Sequence, residues 1–189
     1  MKLLILDRDG TLNAPRDDFV TTPDDWTPLP GALEAVARLN QAGWRLVIAS
    51  NQPALGRGLL DMASLNAIHN KMNKALAAVG GRVEAVFFCP HVPDDLCTCR
   101  KPASGLFLQI GERFGVSLQG VPAAGDSVQD LQAAAAVGCE PHLLMTGNSA
   151  TCRDGNLPPD LPPGSYVHTN LSAFADFILA RERVSQENK

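Results

Sequence analysis

"LLILDRDGTLN", residues 3–13, sets an unbroken apolar run against two aspartates one residue apart. Four aliphatic residues in succession, with no polar alternation, read as a strand buried on both faces, as in a parallel sheet. The run stops at Asp7 and Asp9, and Gly10-Thr11 follows. Two like charges that close together repel, so a positive partner is expected near the tip of this strand.

Working outward, strand and helix signals alternate. Further strands are expected at 45–50 (RLVIAS), 83–88 (VEAVFF), 121–126 (VPAAGD) and 141–146 (PHLLMT), and an edge strand in SYVHT, 165–169. Leu33, Val36, Ala37 and Leu39 stand at helical spacing within 31–42, and Met62, Leu65, Ile68, Met72 and Leu76 form a stripe within 61–79. Helices are also expected at 103–114 and 128–137, and a closing one at 171–183. Residues 147–165 read as loop, and the tail SQENK as fraying. Strict alternation gives an α/β fold, a Rossmann-like parallel sheet with helices on both faces. At 189 residues and 45% hydrophobic composition, one domain spanning 1–189 is expected.

Charge and cysteine content exclude several roles. Sixteen basic residues against 20 acidic ones, with no Lys/Arg run, argue against nucleic acid as a partner. No apolar stretch approaches the roughly 20 residues that span a bilayer, so no membrane association is expected. The apolar run after Met1-Lys2 is too short for a secretory signal, which points to the cytoplasm. In that reducing compartment five cysteines, three of them clustered, indicate metal or catalysis before disulfides.

Ligands of open α/β sheets bind beyond the carboxyl ends of the strands. Asp7 and Asp9 follow the first strand; Ser50, Asn51 and Gln52 end the second. Cys89, His91, Arg100 and Lys101 follow the third, and Asp126 and Asp130 the fourth. Asp7, Asp9 and Asp126 together would make an oxygen site for a hard divalent cation, Mg²⁺ by default. One carboxylate of the first pair can act as nucleophile and the other as general acid and base. Ser50 and Lys101 suit the oxygens of a transferring phosphoryl group. Cys89, His91, Cys97 and Cys99, spaced C-x-H-x5-C-x-C in a proline- and aspartate-rich loop, make the four-ligand set of a closed structural Zn²⁺ site. Cys139 and Cys152 lie outside it and read as free thiols; His69, His142 and His168 read as structural.

Singly, an Asp-Gly pair makes turns and Gly125-Asp126-Ser127 makes a helix cap. In order, however, DRDGT (7–11), SN (50–51), RKP (100–102) and GDSVQD (125–130) resemble the four motifs of the haloacid dehalogenase superfamily of phosphohydrolases. That resemblance implies Asp7 as nucleophile, Asp9 as general acid/base, and Ser50 and Lys101 on the phosphoryl group. It implies Mg²⁺ held by the Asp7 carboxylate, the Asp9 backbone carbonyl and Asp126, with Asp130 in support.

The superfamily commonly selects substrates with an inserted cap. Between Asp9 and Ser50 there is room only for a loop, a helix and a strand, and between Phe88 and Lys101 only the zinc loop, so the enzyme reads as capless. Capless members with this loop resemble two groups, the D-glycero-D-manno-heptose 1,7-bisphosphate 7-phosphatases of lipopolysaccharide-precursor synthesis and the histidinol-phosphate phosphatases. SNQPALGRG, 50–58, resembles the heptose group in keeping Arg57-Gly58, and departs from it at Pro53, Ala54 and Leu55. Asn51, Gln52, Arg57 and Arg100 are the expected substrate contacts, the two arginines meeting a second phosphate. Asp17 and Asp18 would instead suit the cationic nitrogens of histidinol phosphate. Retention of Asp7 and Asp9 argues against a non-catalytic, metal-stabilised binding module. The partner is then a small sugar phosphate; oligomeric state stays open, with a monomer the simplest expectation.

Overall fold

Leu3–Leu6 forms strand β1, buried on both faces. The chain continues through α1 (Ala32–Gln41), β2 (Arg45–Asn51), α2 (Pro53–Gly56), α3 (Met62–Ala78), β3 (Ala85–Cys89) and α4 (Gly105–Phe114). It ends with β4 (Pro122–Gly125), α5 (Val128–Ala135), β5 (Glu140–Leu144), β6 (Tyr166–His168) and α6 (Leu171–Glu187). This is a computed structural model that describes residues 1–154 and 156–187. The strands make one sheet, in the order β3-β2-β1-β4-β5-β6, with every neighbouring pair parallel.

Alternation along β1 divides the core. Leu4 and Leu6 pack with Val36 and Leu39 of α1, Leu65 and Ile68 of α3, and Phe174 and Ile178 of α6. Leu3 and Ile5 face the other layer, with Leu106, Phe107 and Ile110 of α4 and Ala133 and Ala134 of α5. Each fully buried leucine or isoleucine stabilises the fold by about 1.5–3 kcal/mol relative to exposure. The direction of strand progression reverses between β1 and β4, which opens a crevice at their carboxyl ends. Asp7 and Asp126 are the first residues past those ends.

No domain is inserted after β1 or β3. Between β1 and α1 lies a loop with a single 3-10 turn, Pro23–Asp25, and between β3 and α4 only the cysteine loop. Three local features differ from the sequence expectation. Pro53, pre-set in φ, starts the one-turn α2, which is too short to show periodicity. The expected loop 147–165 begins with a 3-10 helix, Gly147–Asp154. Helix α6 extends past Arg183 through Glu187, with the Ser185 hydroxyl donating to the Arg181 carbonyl at 2.9 Å. The last two residues of the tail lie outside the described residues. Among the described residues, no helix is long and apolar enough to cross a membrane.

Candidate active site

At the crevice, three carboxylates meet one ammonium. Lys101 Nζ, 3% exposed, donates to Asp7 Oδ1 at 2.9 Å and to the Ala49 carbonyl at 2.7 Å, and pairs with Asp130 Oδ1 at 2.5 Å. Asp130 is fully engaged, because its Oδ2 accepts from the Ser127 amide and hydroxyl as the return half of the α5 capping box. Asp126 is 1% exposed; its Oδ2 accepts from the Asn148 amide at 2.7 Å, while Oδ1 has no hydrogen-bond partner. Ligand atoms of Asp7, Asp126 and Asp130 lie within 4.8 Å of one another.

Charge is out of balance here. Burial, then the Asp130 charge, push the Asp7 carboxyl up to about 7 against the pull of Lys101. Burial, then Asp7 and Asp130, push Asp126 up to about 8. Burial opposes the charge on Lys101, but Asp130 and Asp7 outweigh it and raise its pKa. An unpartnered buried carboxylate oxygen beside another carboxylate fits a hard divalent cation, which would supply the missing positive charge. Gly10 and Gly147 keep the space around it open, since a Cβ on either would collide with the Asp126 carboxylate.

Asp9 is turned away from this cluster. Its oxygens accept from Arg8 Nε and Nη2 at 3.0–3.2 Å, from Asn13 Nδ2 at 2.8 Å and from Gln52 Nε2 at 2.8 Å. Burial would raise its pKa, but the Arg8 charge and these hydrogen bonds hold it below the usual carboxylate value. Gln52 Nε2 also donates to Ser50 Oγ at 2.8 Å, so one amide links the Asp9 and Ser50 side chains.

Cys89, His91, Cys97 and Cys99 converge as their spacing predicts. Cys89 Sγ is 3.8 Å from Cys97 Sγ and 3.2 Å from Cys99 Sγ, and His91 Nδ1 is 3.3 Å from the sulfurs of Cys89 and Cys99. The three cysteines are free thiols. Sulfurs about 2.3 Å from a tetrahedral Zn²⁺ stand roughly 3.8 Å apart, the separation of Cys89 and Cys97, while Cys89 and Cys99 stand closer than that. The Arg100 amide donates to Cys97 Sγ at 3.4 Å and holds that thiol's pKa below the usual value. The quartet thereby joins directly onto the segment carrying Arg100 and Lys101.

A cavity of about 1130 Å³ opens over Asp7, Asp9 and Lys101. Arg100, Asn51 and Gln52 line it. The Asn51 amide also closes two bonds on the Lys101 backbone, at 3.0 and 3.1 Å, and so holds the Lys101 segment. Arg57 is exposed and outside the lining; its guanidinium stacks 5.4 Å from the ring of Phe19, which does line the cavity. Sequence reasoning missed Arg8, Arg16, Asn148 and Gly147. Arg16 lines the cavity and is paired with Asp18 at 2.8 Å. Arg8 continues the inward alternation of Leu4 and Leu6, but a charged residue past a strand end reads as exposed, so its burial gave no signal in the sequence.

Residues 2–138 match the family described as haloacid dehalogenase-like hydrolase. A Bordetella bronchiseptica protein named D-glycero-beta-D-manno-heptose-1,7-bisphosphate 7-phosphatase is 54% identical over 180 residues, 95% of this chain and 98% of that one. A Pseudomonas aeruginosa protein of the same name is 46% identical over 94% of this chain and 97% of that one. Among solved structures, the D,D-heptose 1.7-bisphosphate phosphatase of B. bronchiseptica, complexed with magnesium and phosphate, superposes with a TM-score of 0.91 at 53% identity, covering 96% of this chain and 99% of that one.

Proposed function

The chain belongs to the haloacid dehalogenase-like hydrolase family, and from that premise we propose that it removes the 7-phosphate of D-glycero-D-manno-heptose 1,7-bisphosphate. Full-length likeness to relatives of that name carries this reading, because it joins a substrate to a site in which every expected motif residue is present.

Asp7 is assigned as nucleophile. Its carboxylate oxygen attacks the 7-phosphorus and the ester P–O bond breaks; Asp9, ionised in the free site, takes up a proton as the phosphate enters and gives it to the departing sugar oxygen. Asp9, now a base, takes a proton from water as that water attacks the aspartyl-phosphate, releasing phosphate and restoring Asp7. Ser50 and Lys101 are assigned to the phosphoryl oxygens; Lys101 also steadies Asp7 before attack. Mg²⁺, held by the Asp7 carboxylate, the Asp9 carbonyl and Asp126, would neutralise charge that otherwise keeps the phosphate out. The Cys89, His91, Cys97 and Cys99 quartet is assigned to a structural Zn²⁺ with no position open for water. Arg100, and Arg57 at the rim, are assigned to the 1-phosphate.

Histidinol phosphate is the poorer fit. Asp17 and Asp18 do not line the cavity, and Asp18 is taken up by Arg16. Side-by-side turnover of the two compounds tests the reading. The heptose bisphosphate is expected to be the faster substrate, and Asp7→Asn, which keeps the shape but removes the nucleophile, is expected to lose turnover on it. Preference for histidinol phosphate would overturn the substrate; near-normal turnover by folded Asp7→Asn would overturn the mechanism.

A further inference from the structure

Arg8 is 0% exposed, which is costly for a guanidinium unless its donors are satisfied. Its Nε and Nη2 edge grips both oxygens of Asp9, and Nη2 also reaches Gln52 Oε1 at 3.3 Å. The remaining corner, Nη1, lies 3.1 Å from Nε2 of His69 on α3. Arg8 has only donors, so His69 Nε2 must be the acceptor and the imidazole proton must sit on Nδ1. Burial, then the Arg8 charge, hold the His69 pKa down to about 4, in keeping with a neutral acceptor. His69 thus reaches Asp9 only through Arg8 and lies outside the cavity lining.

We propose that His69 is a positioning residue for the proton donor, fixing through Arg8 the plane of the guanidinium that orients the Asp9 carboxylate. The inference rests on the assignment of Asp9 as general acid/base made above. A planar group pinned at three corners cannot tilt. Without His69, Nη1 becomes a buried donor with no acceptor, and the guanidinium turns to find one, taking Asp9 with it. A displacement of about 1 Å at a catalytic group costs on the order of a hundredfold in rate.

The first turnover of two phosphate esters separates positioning from packing. The sugar leaving group needs a proton, whereas 4-nitrophenyl phosphate releases a stabilised anion that does not. His69→Leu is expected to slow the heptose burst about ten- to a hundredfold and the nitrophenyl burst by no more than about twofold. His69→Gln, which can offer an oxygen where Nε2 stood, is expected to recover to within about threefold. Equal slowing of both bursts by His69→Leu, or no recovery in folded His69→Gln, would overturn the proposal. If His69→Leu does not fold, His69→Asn, polar but too short to reach Nη1, takes its place. Asp9→Asn is the reference and should show the same leaving-group selectivity more strongly. Its absence there would overturn the Asp9 assignment and this inference with it, whereas its presence in Asp9→Asn alone overturns only the role of His69.

Discussion

Arg100 and Lys101 are adjacent in the chain but face different tasks. Lys101 is buried against Asp7, Asp130 and the Ala49 carbonyl, whereas Arg100 lines the cavity, with Nη1 3.4 Å from the His91 carbonyl. Losing one charge-assisted contact costs about 1.5–3 kcal/mol, or roughly ten- to a hundredfold in kcat/KM. Arg100→Ala is therefore expected to depress turnover of the bisphosphate far more than that of a simple monophosphate, while Lys101→Ala depresses both. Equal losses in Arg100→Ala, measured as kcat/KM on the two substrates, would remove Arg100 from the distal phosphate. Asp7, Asp9 and Asp126 were legible because each stands just past a strand end beside a distinctive neighbour, and Lys101 because it follows the cysteine loop beside Arg100 and Pro102. Arg8 was not, because a charged residue past a strand end reads as exposed. Its burial follows only once α1 and α3 are known to cover the face onto which Leu4 and Leu6 project. The pair of hydrogen bonds between the Asn51 amide and the Lys101 backbone was equally hidden, since it joins the end of β2 to a segment 50 residues on.

At the scale of elements, two loops position the charges. Cys97→Ser is expected to lose Zn²⁺, measured by metal analysis, and to free the segment bearing Arg100 and Lys101. Activity is expected to fall at least about tenfold, because these cations must be held to within a fraction of an ångström. Full activity in a zinc-free variant would separate that metal from catalysis. On the opposite side, Gly147 has φ +48° and leaves no room for a Cβ beside Asp126 and Gly10. Gly147→Ala is expected to displace Asp126 and to raise the Mg²⁺ concentration needed for half-maximal activity by about tenfold or more. An unchanged Mg²⁺ requirement would show that the loop yields freely. The cysteine loop could be read from ligand spacing alone. The Gly147 turn could not, because a single 3-10 segment has no apolar period, and its value depends on where Asp126 lies in space.

For the whole molecule, alternation of strand and helix gave the parallel sheet but not the order β3-β2-β1-β4-β5-β6, which rests on which helices cover which face. That order places Asp7 and Asp126 side by side and gives stability a pH dependence of calculable sign. In the cation-free fold their pKa values, about 7 and about 8, stand above the ordinary 3.8. Their contribution is full below that ordinary value and is lost as pH rises through 7 and 8. His142 and His168, bonded to each other at 2.9 Å, act oppositely. Burial lowers both from 6.5 to about 4, so stability is lost as pH falls through that window. Between about 4 and 6.5 the two effects oppose each other, and above 6.5, of these four groups, the two carboxylates alone act. On the proposed assignment Mg²⁺ would bind the deprotonated cluster, so at lower pH it would first have to displace protons and would bind more weakly. At a hundred times its Kd an ion adds about 2.7 kcal/mol, roughly 5–10 °C in Tm for a chain of this size. Protein dialysed free of Mg²⁺ but retaining zinc is therefore expected to gain that much at about pH 8.5 and distinctly less at about pH 6. An equal gain at both pH values, in thermal melts with and without Mg²⁺, would mean that the ion is not bound by Asp7 and Asp126.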